Sequence, residues 1–116
     1  MATHFSDEEV AGLVPELVIM LDRARGFAGV PFIITSGLRT QEENLVAGGE
    51  EDSAHLYGEA VDLACSTSWL RHKMLPALYV AGFRRIGVYD RHLHADISTH
   101  LPQGVTWWGK SKGGQP

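Results

Sequence analysis

Residues 53–62, Ser53-Ala54-His55-Leu56-Tyr57-Gly58-Glu59-Ala60-Val61-Asp62, decide how this chain folds. A histidine and an aspartate bracket a mainly apolar run, and Gly58 stands between them where the chain can turn back. Ala60, Val61, Leu63 and Ala64 surround Asp62 with small or apolar side chains, the pattern of a strand entering a core. A carboxylate in that setting is costly unless it is paired or bound to a metal. Further on comes His92-Leu93-His94-Ala95-Asp96. Residues two apart in a strand point to the same face, so His92, His94 and Asp96 should line one side. Two histidines and an aspartate brought together make a three-ligand zinc site with an open fourth position, the layout of catalytic zinc.

Working outward, Ser6-Asp7-Glu8-Glu9 offers a cap and acids for a short helix running to about Leu13. Pro15 suits the first turn of a second helix, whose inward face is Leu17, Met20, Leu21 and Ala24 and which Gly26 and Gly29 end. Val30 to Thr35 reads as a buried strand. Thr40-Gln41-Glu42-Glu43 is a capping box for a short helix, followed by a polar loop over Gly48 to Asp52. Thr67 or Ser68 caps a helix from about Trp69 to Ala81, with a kink or break expected at Pro76. Arg84 to Tyr89 and Leu93 to Ser98 form two strands joined by a tight turn at Asp90 and Arg91, and Val105 to Trp108 is a candidate for one more. The expected fold class is α+β: two or three helices packed on a small, mainly antiparallel sheet, with Asp62 and His94 on neighbouring strands and His55 on the turn before them. Residues 1–110 form the single expected domain, taken as a monomer, and the Gly-rich stretch 111–116 a disordered tail.

A chain of 116 residues can bury a core without staples. The net charge of −4 argues against a nucleic-acid partner or an electrostatic hold on membranes. Cys65 is the single cysteine, which rules out an internal disulfide and a multi-cysteine zinc site. No apolar run reaches membrane-spanning length, and no signal peptide is expected at the N-terminus.

Ser53, His55, Gly58, Ala60 and Asp62 fill every fixed position of the Ser-x-His-x-x-Gly-x-Ala-x-Asp signature. In this the chain resembles the D-alanyl-D-alanine carboxypeptidase and endopeptidase family of zinc peptidases. The His-x-His unit, the stretch Thr35-Ser36-Gly37-Leu38-Arg39-Thr40, their order, and the opening His4 to Leu17 are similar too. The resemblance implies one zinc ion and hydrolysis of bacterial cell-wall stem peptides at a bond next to a D-amino acid. Its implied ligands are His55, Asp62 and His94, with His92 left free to handle protons. Such relatives often carry an acid three residues before the ligand histidine; here that position is Arg91, which cannot act as a base. His92 is therefore the first candidate for the base and Asp96 the second, unless Asp96 instead orients a ligand histidine. The resemblance makes Arg39 a clamp for substrate carboxylate or oxyanion, where a solvated loop charge is the plain alternative. Ser53 either bonds near the metal or substrate or simply caps a turn. Trp107 and Trp108 are read as packing at the sheet end rather than a stacking platform. A wall-cutting enzyme without a signal would reach its substrate as phage lysis proteins do, after release, or by another export route. The alternatives from other classes are a non-catalytic zinc module that binds a peptide or protein, as the similar hedgehog domains do, and a free D,D-dipeptidase.

Overall fold

The structure is a computed structural model, and it describes residues 4–50 and 53–111. Its centre is β2 (Ala60–Ala64), where alternation sends Val61 and Leu63, both fully buried, to one face and Ala60, Asp62 and Ala64 to the other. Antiparallel to it lies β4 (His92–Asp96), with Val61 opposite Ala95, Leu63 opposite Leu93 and Asp62 opposite His94. Next comes β3 (Arg85–Tyr89), again antiparallel, adding Ile86 and Val88 to the apolar face. Against that face pack α1 (Pro15–Ala28) through Leu17, Leu21 and Ala24, and α3 (Ser68–Val80) through Met74, Ala77 and Leu78. Each large apolar side chain buried there contributes about 1.5–3 kcal/mol. A one-residue slip of β4 would place His94 among them, so the core locks the register that builds the opposite face.

The sheet is completed by β1 (Ile34–Ser36), antiparallel to β2, and β5 (Val105–Gly109), parallel to β3, in the order β1-β2-β4-β3-β5. A capped helix, α2 (Gln41–Val46), and a single 3₁₀ turn, Ala54–Tyr57, complete the architecture. The α+β class and the mainly antiparallel sheet expected from the sequence are present. No helix among the described residues is long and apolar enough to cross a membrane.

Several local expectations are corrected. Residues 6–13 form turns, not a helix: Ser6 and Glu9 exchange cap-like bonds of 2.8 and 3.2 Å, but Gly12 at φ 79° ends the run. The strand foreseen over 30–35 is reduced to Ile34–Ser36, because Pro31 offers no N–H for a ladder; Val30 and Phe32 still reach the core. Pro76 does not break α3. Pro76 and His72, four residues before it, are both exposed, so water can satisfy the carbonyl that proline leaves unpaired. Ser111 is anchored by hydrogen bonds rather than opening a loose tail. Residues 112–116, and 51–52 of the polar loop, lie outside the described residues.

Candidate active site

The polar face of the sheet carries the site. Asp62, His94, Gly87 and Trp107 stand in one row across β2, β4, β3 and β5. Trp107 can lie over the sheet because Gly87 has no side chain; a Cβ there would come within 2.6 Å of the indole. His55 arrives from the 3₁₀ turn. Ser53 Oγ accepts the His55 N–H at 3.2 Å, and Gly58 closes the turn in the left-handed region at φ 70°. A Cβ on Gly58 would also collide with the Gly12 carbonyl oxygen, so two constraints select glycine there. Ala60 is fully buried opposite Asp96. The five signature positions thus each have a local reason: a cap, two converging side chains, a turn and a small neighbour.

One ligand-capable atom from each of His55, Asp62 and His94 lies within 4.8 Å of the others. Hydrogen-bond partners on the far sides determine which atoms these are. His55 Nδ1 is 2.8 Å from the Gly37 carbonyl, which can only accept, so Nδ1 carries the proton and Nε2 faces inward, 3.3 Å from Asp62 Oδ1. His94 Nε2 lies 2.6 Å from Asp96 Oδ2, so it donates outward and Nδ1 faces Asp62 Oδ1 at 3.0 Å. In the neutral tautomers two imidazole lone pairs and a carboxylate oxygen point at one another. Only positive charge reconciles them, a proton or a metal ion. The donor set, two imidazole nitrogens and a carboxylate, is one that zinc accepts while keeping a fourth position for substrate or water. Each ring also has the outward hydrogen bond that metal-binding histidines characteristically make.

The electrostatics agree with a cation site. Burial opposes ionisation of Asp62, yet hydrogen bonds from His55 and His94 outweigh it and hold the carboxyl far below the usual range. Burial likewise opposes a charged His94, but its bonds to Asp62 and Asp96 raise its pKa.

Arg39 reaches the site through Asp62. Its Nη2 donates to Asp62 Oδ2 at 3.1 Å, its Nε to Ser36 Oγ at 2.9 Å and its Nη1 to Asn44 Oδ1 at 3.2 Å, while its backbone N–H bonds the His55 carbonyl at 2.9 Å. Asp96 is fully buried and occupied at both oxygens, by His94 and by Arg85 Nε at 3.0 Å on Oδ2, and by the Ser98 N–H at 3.0 Å on Oδ1. Although burial works against its charge, these partners keep it ionised. Its geometry is that of a group orienting His94. Arg85 in turn lies 4.9 Å from the Trp107 ring and bonds the Pro102 carbonyl. His92 is stacked on Tyr89, with centroids 4.2 Å apart, and its Nδ1 meets Ser111 Oγ at 2.8 Å. Burial lowers its pKa, which favours the neutral ring.

All seven residues singled out in the sequence, His55, Asp62, His94, His92, Asp96, Arg39 and Ser53, line one cleft of about 340 Å³, together with Arg85, Tyr89, Trp107 and Lys110. Ser53 enters as a turn cap. Sequence reasoning missed Arg85, Asn44 and Ser111. For Trp107, the glycine inside β3 was the available signal, since a strand glycine often marks a close approach. His4 pairs with Asp22, and neither it, His72 nor His100 lines the cleft.

Residues 2–98 match the family model described as peptidase M15. Among solved structures, the crystal structure of the Serratia marcescens L-Ala D-Glu endopeptidase ChiX is similar, with a TM-score of 0.64 and 23% identity over 84% of this chain and 89% of that one. At that identity the likeness speaks for the fold. No curated protein matches the chain.

Proposed function

The chain belongs to the peptidase M15 family, and from that premise we propose that it hydrolyses bacterial cell-wall peptides using one zinc ion held by His55, Asp62 and His94. The observation that carries the reading is the convergence of three ligand atoms within 4.8 Å, each residue fixed from behind by Gly37, Arg39 or Asp96. When bound there, zinc supplies a Lewis acid that brings the pKa of a water to about 7.

The protein's own residues do the rest. Gly37 and Asp96 hold the two rings in the tautomers that face inward. Arg39 holds Asp62 from its outer oxygen. His92, neutral and stacked on Tyr89, takes the proton released in the attack and returns it to the departing amine. Asp96, already saturated by His94, Arg85 and Ser98, is left to position His94. Trp107 and Arg85 form one wall of the cleft, which steers substrate along the sheet.

The substrate end of the proposal is endopeptidic. A second hollow, lined by Thr35 to Arg39 and by Glu43, adjoins the main cleft and shares Arg39, Ala47 and Asp62 with it. An open groove of that kind suits a chain running through better than a closed end for a terminal carboxylate or a free dipeptide. The similar Serratia enzyme carries L-Ala D-Glu endopeptidase in its name, which makes a bond beside a D-amino acid the first to test. Zinc-loaded protein is incubated with purified wall peptides and the products are identified by mass. Fragments cut within the stem peptide are expected. Intact peptide beside zinc-loaded protein would transfer the reading to a zinc-containing binding module, and loss of a single C-terminal residue would make it a carboxypeptidase.

A further inference from the structure

We infer that Ser111 is a positioning residue that selects which way the His92 ring faces in the cleft. The inference rests on the proposed proton-carrying role of His92 for its kinetic consequence, but not for its structural one. His92 lies parallel to Tyr89, with ring planes 9° apart and centroids 4.2 Å apart. Stacking fixes the plane of an imidazole but not its flip. Turning the ring by half a revolution about Cβ–Cγ keeps the plane and exchanges nitrogen for carbon at both edges. A proton carrier needs Nε2, not Cε1, at the reactive edge. What distinguishes the two flips is the hydrogen bond between Nδ1 and Ser111 Oγ at 2.8 Å. In the other flip a C–H would face the hydroxyl.

Ser111 is itself held firmly enough to impose this choice. Its N–H donates to Asp90 Oδ1 at 2.6 Å, and its Oγ accepts the Arg91 N–H at 3.3 Å. Both partners sit on the two-residue turn that joins β3 to β4, directly before His92. Ser111, two residues past β5, is thereby latched onto the hairpin that carries His92. With one lone pair taken by Arg91, the hydroxyl still has a hydrogen and a second lone pair for Nδ1. Either sense of that bond favours the same flip. When Nδ1 is the donor, Nε2 is left with the lone pair that can accept a proton.

The test uses the zinc-loaded full chain with Ser111→Ala, Ser111→Thr, His92→Ala and the His92→Ala/Ser111→Ala double variant. Losing one ordinary hydrogen bond predicts a fall in kcat of roughly 3- to 10-fold for Ser111→Ala, with KM and zinc content unchanged. Threonine, which keeps the hydroxyl, restores the parent rate. In the His92→Ala background the serine substitution has no further effect, because the ring it orients is gone. Independently of turnover, ring-nitrogen NMR signals of His92 should show one tautomer in the parent and an altered or averaged pattern in Ser111→Ala. Unchanged ring signals in Ser111→Ala overturn the inference, as does a Ser111→Ala rate defect that persists in full without His92. Parent-like turnover in His92→Ala instead removes the proton role of His92, and the ring signals then decide the role of Ser111 alone.

Discussion

Arg39→Lys separates two roles that the sequence left open for this residue. The guanidinium serves three side chains, Asp62 at 3.1 Å, Ser36 at 2.9 Å and Asn44 at 3.2 Å. A lysine ammonium has the charge but not the fork, and from the same backbone it can serve one of those partners well. Two hydrogen bonds are then lost, about 0.5–1.5 kcal/mol each, and the buried Asn44 loses the donor to its oxygen. The metal-free protein should therefore lose about 1–3 kcal/mol, a drop of several degrees in Tm. The consequence for the metal is larger in proportion. Even where the ammonium keeps its contact with Asp62, the outer oxygen is held by a mobile point charge and no longer by a guanidinium locked onto Ser36 and Asn44, and weakening such an orienting partner lowers metal affinity by up to about 10–100-fold. Zinc affinity is measured by competition with a chromogenic chelator, and stability by melting of the chelated protein. Parent-like zinc affinity with a raised KM for wall peptide would refute this reasoning and return Arg39 to the role of substrate clamp.

Other predictions follow from the same geometry. His92→Ala should keep zinc and fold but lose about 10²–10⁴-fold in rate, whereas Asp96→Asn should weaken zinc affinity or activity by about 10–100-fold; zinc content and turnover measured side by side check both, and a dead, fully loaded Asp96→Asn beside an active His92→Ala would make Asp96 the base. The chelated protein should be most stable in mild acid. Burial opposes both charges, but Asp62 has a depressed folded pKa, so its contribution is present above about pH 4 and is lost as pH falls through the folded value. His94 has a raised folded pKa, so its contribution is present below about pH 6.5 and is lost as pH rises through the folded value. Zinc replaces protons at these groups, so the Tm gained on adding zinc should grow from pH 6 to 8; a gain that shrinks over that range contradicts the shared site.

Much of this was legible in the chain because period-two alternation carries two messages at once. In 60–64 and 92–96 the apolar positions Val61, Leu63, Leu93 and Ala95 announce a core face, and the polar positions between them announce a second face with a different task. The expected ligand trio meets in the structure, and the short capping box at Thr40 is present as read. What local pattern could not carry is the set of tertiary partners. Arg39 finds Asp62 and His92 finds Ser111 from elements remote in sequence, while Asn44 and Arg85, nearer in sequence, meet Arg39 and Asp96 only once α2 and the β3–β4 hairpin are in place. The parallel direction of β5 depends on how residues 97–104 cross the sheet, which strand propensity does not encode. The missing helix at 6–13 shows the opposite failure: its cap chemistry formed, but Gly12 at positive φ left no length for a second turn.

His55, Asp62 and His94 together should hold one zinc ion, and the proposed chemistry stands or falls with it. Elemental analysis of protein purified without chelator, beside its His55→Ala variant, tests that directly. The parent should carry about one zinc per chain, the number that a single three-ligand site admits. His55→Ala should carry far less while its far-ultraviolet circular dichroism stays that of the parent. A folded His55→Ala protein with the parent's zinc content would contradict the central claim.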